Sequence, residues 1–127
     1  MIANSKVDEM IVNEVAAKEL RIATENYSEA ESAFKDAQFK CDKLRQFRQD
    51  YVDRFNNEIK QYMGEETHQG FRSFFSRLDV VILEQQEVVE SARRQLKIQR
   101  QLWQECQRKS QALEEASARA EYFAVTS

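Results

Sequence analysis

Only two glycines, Gly64 and Gly70, and no proline interrupt a chain of 127 residues. Glycine and proline are the residues that break helices most reliably, and both glycines fall near the midpoint. Nothing on either side forces the backbone out of a helix. The expected fold class is therefore all-α, with two long helices forming an antiparallel coiled-coil hairpin. The whole chain, 1–127, reads as one such hairpin, with a helix over about 5–62, a loop over about 63–69 and a helix over about 70–124.

The composition fits a shape with little interior. Charged residues make up 32 % of the chain, and the mean hydropathy is -0.73. Such chains read as long helix or coiled coil. With 19 Lys and Arg against 22 Asp and Glu, the net charge is -3, which gives no electrostatic basis for holding nucleic acid. The longest apolar runs, Val80–Leu83 and Tyr122–Val125, have four residues each, whereas a membrane span needs about 20. The N-terminus has no apolar signal core. The expectation is a cytoplasmic protein with no direct membrane insertion.

Catalytic chemistry has little to stand on. The single histidine, His68, falls in the expected loop with no Ser or Cys partner, and two glycines six residues apart do not make a phosphate-binding loop. No CxxC or HxxxH spacing is present. The reading is a protein that is not an enzyme, with no catalytic residue, no cofactor and no metal. Cys41 and Cys106 read as small apolar residues, not as a disulfide.

Both arms carry a heptad repeat, abcdefg. In the first, Leu20, Tyr27, Phe34, Cys41, Arg48, Phe55 and Tyr62 fall at a, and Ala16, Ala23, Ala30, Ala37, Leu44 and Tyr51 at d. In the second, Phe75, Ile82, Val89, Leu96 and Trp103 fall at a. Leu78, Gln85, Ala92, Gln99, Cys106, Leu113 and Ala120 fall at d. Alternating spacings of three and four are the mark of a coiled-coil seam.

The turn is expected at Met63–Gly70. Gly64 suits a left-handed C′ position ending the first helix, and Thr67 suits the N-cap of the second. Ser5 to Asp8 has the spacing of a capping box for the first helix. Folding there predicts pairs whose residue numbers add up to about 133. Leu96 would then face Ala37, Trp103 would face Ala30, Val89 would face Leu44, and Arg48 would face Gln85.

Apolar residues exceed what the seam needs. Phe74, Val81, Val88, Leu102 and Phe123 occupy g, and Phe47 lies on the same side. This flank either thickens the core, packs a dimer of hairpins, or docks a partner, since contiguous exposed apolar surface marks interfaces. The open end is apolar on several faces, with Val7, Met10, Ile11, Val12 and Val15 from one arm and Tyr122, Phe123 and Val125 from the other. It either associates weakly with itself or inserts into another protein.

Three segments carry a family resemblance. They are Leu44-Arg-Gln-Phe47-Arg-Gln-Asp-Tyr51, then Phe74-Phe-Ser-Arg-Leu78-Asp-Val-Val81-Ile82-Leu-Glu-Gln85, and a trailing stretch with Val88, Ala92, Trp103, Lys109 and Leu113 to Arg119. Over roughly residues 15–120 the chain resembles the FliJ family of flagellar type III export. The resemblance implies a stalk and adaptor that promotes protein export in flagellum assembly and motility. It implies three kinds of partner: the hexameric export ATPase FliI, the cytoplasmic domain of the export gate FlhA, and, for some members, export chaperones. It implies a location peripheral to the inner-membrane export apparatus. The gate-docking residues would be Leu44, Phe47, Tyr51, Phe74, Leu78, Val81, Gln85 and Val88. The end entering the ATPase ring would carry Val7, Met10, Ile11, Val12, Tyr122 and Phe123. The central stalk of injectisome secretion (the YscO group) and a generic dimeric coiled-coil scaffold or chaperone stand as alternatives.

Overall fold

The computed structural model describes residues 2–62 and 64–126, apart from the side chains of residues 2–4 and 58–60. Met63 of the expected loop lies outside the described residues. The fold is an all-α helical hairpin. Helix α1 runs Ile2–Arg54, a π-helical turn follows over Phe55–Ile59 and a 3-10 turn over Lys60–Tyr62, and helix α2 runs Glu65–Thr126. No strand is present among the described residues. Among the described residues no helix is long and apolar enough to cross a membrane.

The turn departs from expectation in ways that local chemistry explains. Helix α2 starts at Glu65, so Thr67 and Gly70 are helical residues and not a cap and a loop. Gly64 occupies the N-cap, and its carbonyl accepts the first helical hydrogen bond from the amide of His68 at 3.1 Å. Glycine is tolerated at an N-cap, and the acidic Glu65 and Glu66 complement the positive end of the helix. No described glycine adopts positive φ, so the expected left-handed cap is absent. Ser5 lies within α1 and does not begin it. Tyr62, expected in the seam, is 87 % exposed. A π-helical turn packs more residues per turn than an α-helix, and it rotates the residues beyond it off the heptad phase. His68 is half-buried, with its ring edge-on to Phe55 at 5.7 Å.

The chain divides into two compact units. One comprises Met1–Glu31 with Gln95–Ser127, the other Ser32–Arg94. Each pairs a stretch of α1 with a stretch of α2.

In the second unit, Ala37, Cys41 and Val89 are buried together, with Phe34 and Ala92 packed against them. Leu78 and Ile82 are also buried. Near the turn, Phe55 lies 5.2 Å from Phe71 and 6.2 Å from Phe75, ring centre to ring centre. In the first unit, Ala16, Ala23 and Leu96 are buried. Trp103 stacks on Tyr27 at 5.4 Å and donates from Nε1 to Oγ1 of Thr24 at 3.1 Å. Nδ2 of Asn13 donates to Oγ of Ser117, which in turn donates to Glu9. Of the expected seam positions, Ala120 is exposed, beside the small and polar Ser5, Glu9 and Asn13.

These contacts correct the pairing. Phe55 with Phe71, Arg48 with Asp79 and Phe34 with Arg93 in one unit, and Tyr27 with Arg100 and Thr24 with Trp103 in the other, have numbers adding to 126 or 127. The pairing is displaced from the expected 133 by about one heptad. The cause is the tighter turn, with α2 starting at Glu65. Val89 therefore packs on Ala37 and Cys41 instead of Leu44, and Trp103 on Tyr27 and Thr24 instead of Ala30. Both cysteines are free thiols.

Candidate docking surfaces

The eight residues expected at a gate-docking surface all belong to the Ser32–Arg94 unit, and the structure sorts them by burial. Phe47 and Val81 are 44 % exposed and Val88 is 50 % exposed. Phe74, Tyr51, Leu44 and Gln85 are half-buried, and Leu78 is buried. The heptad explains the sorting. Leu44, Tyr51, Leu78 and Gln85 are seam positions, whereas the others sit one position outside it.

Aromatic rings link the exposed and half-buried members. Phe47 lies 4.6 Å from Tyr51, and Tyr51 lies 5.3 Å from Phe74. The Arg54 guanidinium lies over the Tyr51 ring, 5.9 Å from its centre. Tyr51, Thr67, Gly70, Phe71 and Phe74 line an open groove of about 320 Å³. At Gly70 the groove stands open, since a β-carbon there would meet nothing within 4 Å. Phe71 and Gly70 were not anticipated in this role. Phe71 continues the 3-4 series of α2 one step before Phe75, where the expected seam begins, and the start of α2 at Glu65 places it a full turn inside the helix.

Gln85 is spoken for within the hairpin, since its Nε2 donates to the backbone carbonyl of Ala37 at 3.1 Å. Arg48, its expected partner, instead grips Asp79, with Nε on Oδ1 and a second guanidinium nitrogen on Oδ2 at 3.3 Å. The same guanidinium lies 5.7 Å from the centre of the Phe75 ring. Two further exposed apolar residues, Val80 and Leu83, lie on the outer side of α2. They stand in the sequence as part of an unbroken apolar run of which only Ile82 is seam.

The other six candidates, Val7, Met10, Ile11, Val12, Tyr122 and Phe123, belong to the Met1–Glu31 and Gln95–Ser127 unit, and all six are exposed. Tyr122 and Phe123 stack edge to face at 5.8 Å. Exposed apolar residues on several faces of a helix pair are costly in water. An ion pair lies on the side of this unit, with Lys109 3.5 Å from Glu19. No group of three or more His, Cys, Asp and Glu that could hold a metal comes together among the described residues.

A family model described as "Flagellar FliJ protein" matches residues 11–122. No curated protein and no solved structure is significantly similar to the chain.

Proposed function

The chain belongs to the FliJ family of flagellar export proteins, and from that premise we propose that it acts as a non-enzymatic stalk and adaptor, joining the export ATPase ring to the export gate and promoting protein export. The apolar end bearing Val7, Met10, Ile11, Val12, Tyr122 and Phe123 enters the FliI hexamer. The flank of the Ser32–Arg94 unit docks the cytoplasmic domain of FlhA, and export chaperones are further partners. Its place is in the cytoplasm, against the inner-membrane export apparatus.

One observation carries the reading. Each unit leaves large apolar side chains outside its seam, where they contribute little to holding the two helices together. Within the gate-facing flank, Phe47, Val81 and Val88 are the contact residues and Phe74 is their half-buried support. Leu44, Tyr51, Leu78 and Gln85 act from the seam by positioning that flank.

Pull-down and affinity measurements with separately purified partners test both halves. Phe47→Ala with Val81→Ala weakens binding to the gate domain by about tenfold or more, in the range of a small hot spot, at unchanged helicity and melting temperature. Met10→Asp with Ile11→Asp abolishes ATPase stimulation and leaves gate binding intact. Wild-type gate affinity in the first variant, or wild-type stimulation in the second, overturns the corresponding half.

A further inference from the structure

One flank of α2 carries a second stripe that the hairpin uses only at Phe74, against Tyr51. Phe74, Arg77, Val81, Glu84 and Val88 follow one another at spacings of three and four, the pattern of a coiled-coil stripe. Val81, Val88, Arg77 and Glu84 are exposed, and Phe74 is half-buried. Neither Arg77 nor Glu84 forms an ion pair among the described residues.

The order of residues on this stripe is self-complementary. Phe74 and Val88 stand seven residues to either side of Val81, and Arg77 and Glu84 stand four before it and three after it. Laid antiparallel on itself about a two-fold axis at Val81, the stripe sets Phe74 of each copy against Val88 of the other. It also brings Arg77 of each copy beside Glu84 of the other. A parallel pairing would place arginine on arginine and glutamate on glutamate. Isologous pairing of this kind is the commonest symmetry of homo-oligomers. Phe47 borders the stripe near the axis, since Arg48, its neighbour in sequence, pairs with Asp79, and it adds an aromatic ring from each copy.

We propose that this face pairs with a second copy of the chain, α2 against antiparallel α2, to form a reversible two-fold dimer. Phe74 to Val88 covers about 21 Å of helix, a short contact for a stable interface, so the dimer dissociates on dilution. If the flank is also the gate-docking surface, as proposed above, dimerisation masks Phe47, Val81 and Val88. The chain would then reach the gate only as a monomer.

Analytical ultracentrifugation of the full chain tests the pairing without reference to the gate. The weight-average mass of the wild type rises with concentration from 15.0 kDa toward twice that value. Arg77→Glu and Glu84→Arg each weaken the dimer by about tenfold, since each turns two attractive contacts into repulsive ones. The double reversal on one chain restores the dimer, as does an equimolar mixture of the two single variants. A wild type that stays monomeric from micromolar to near-millimolar concentration overturns the proposal. So do single reversals that dimerise like the wild type, or a double reversal as weak as the singles. A dimer that forms as described while gate affinity is indifferent to it leaves the pairing standing and removes only the masking.

Discussion

Arg48 on α1 and Asp79 on α2 form a two-pronged ion pair, with one prong at 2.5 Å and the other at 3.3 Å. The guanidinium occupies a seam position, where an aliphatic residue would be usual, and lies 5.7 Å from the centre of the Phe75 ring. Its charge is matched where the seam would otherwise have to bury it. The side chains retain 36 % and 49 % exposure, so water screens the pair and its net worth is modest. Asp79→Ala leaves the arginine unmatched and lowers stability by about 1 kcal/mol. Arg48→Met removes the charge and retains apolar contact, and costs less. Urea unfolding of the two variants and the double variant gives the coupling directly.

Cys41 and Cys106 separate the same way. Cys41 is buried among Ala37, Val89, Phe34 and Ala92, and the Arg93 guanidinium caps the Phe34 ring at 4.9 Å. Cys41→Ser puts a hydroxyl into that cluster and costs about 1–3 kcal/mol. Cys106 is only half-buried, and Cys106→Ser is close to neutral. In the native protein a thiol reagent titrates Cys106 first, and Cys41 reacts only as the helices part.

The two glycines respond oppositely to alanine, because they occupy different places in the helix. Gly70 lies within α2, without positive φ, and a β-carbon there meets nothing within 4 Å. Gly70→Ala stabilises the protein by about 0.5–1 kcal/mol through helix propensity alone. Gly64 is the N-cap, where alanine is much poorer than glycine. Gly64→Ala lowers stability although its site is equally open. Thermal melts followed by circular dichroism show the first variant a few degrees above the wild type and the second below it.

The seam itself was legible in the sequence because it depends only on local spacing. Ala16, Ala23, Ala37, Cys41, Leu78, Ile82, Val89 and Leu96 are all buried. The step along the seam was not legible from that spacing. A slide of one heptad returns every a and d position to the interior, so matching large residues to small ones does not single out one register. The turn decides it, through the backbone hydrogen bond from His68 to Gly64 and a π-helical turn after Arg54. Apolar periodicity carries no trace of these. The candidate docking surface divides along the same line. The exposure of Phe47, Val81 and Val88 follows from their heptad phase. The Gly70 groove and the hydrogen bond from Gln85 to Ala37 depend on the true register.

The division between seam and flank has its sharpest test in Leu78 and Val81, three residues apart on one helix. Leu78 is 9 % exposed and Val81 is 44 % exposed. Leu78→Ala removes buried methyl groups and leaves a partly unfilled space, which costs about 2–4 kcal/mol. Val81→Ala strips side chain that water already reaches, and it falls within about 0.5 kcal/mol of the wild type. Any loss of gate binding by Leu78→Ala should then follow the fraction unfolded and recover under conditions that restore the fold. Loss of binding by Val81→Ala should persist in a fully folded protein. Melting curves and gate-domain affinities measured on the same two samples give both readouts. Equal destabilisation by the two substitutions would place Val81 in the core and withdraw it from the docking flank.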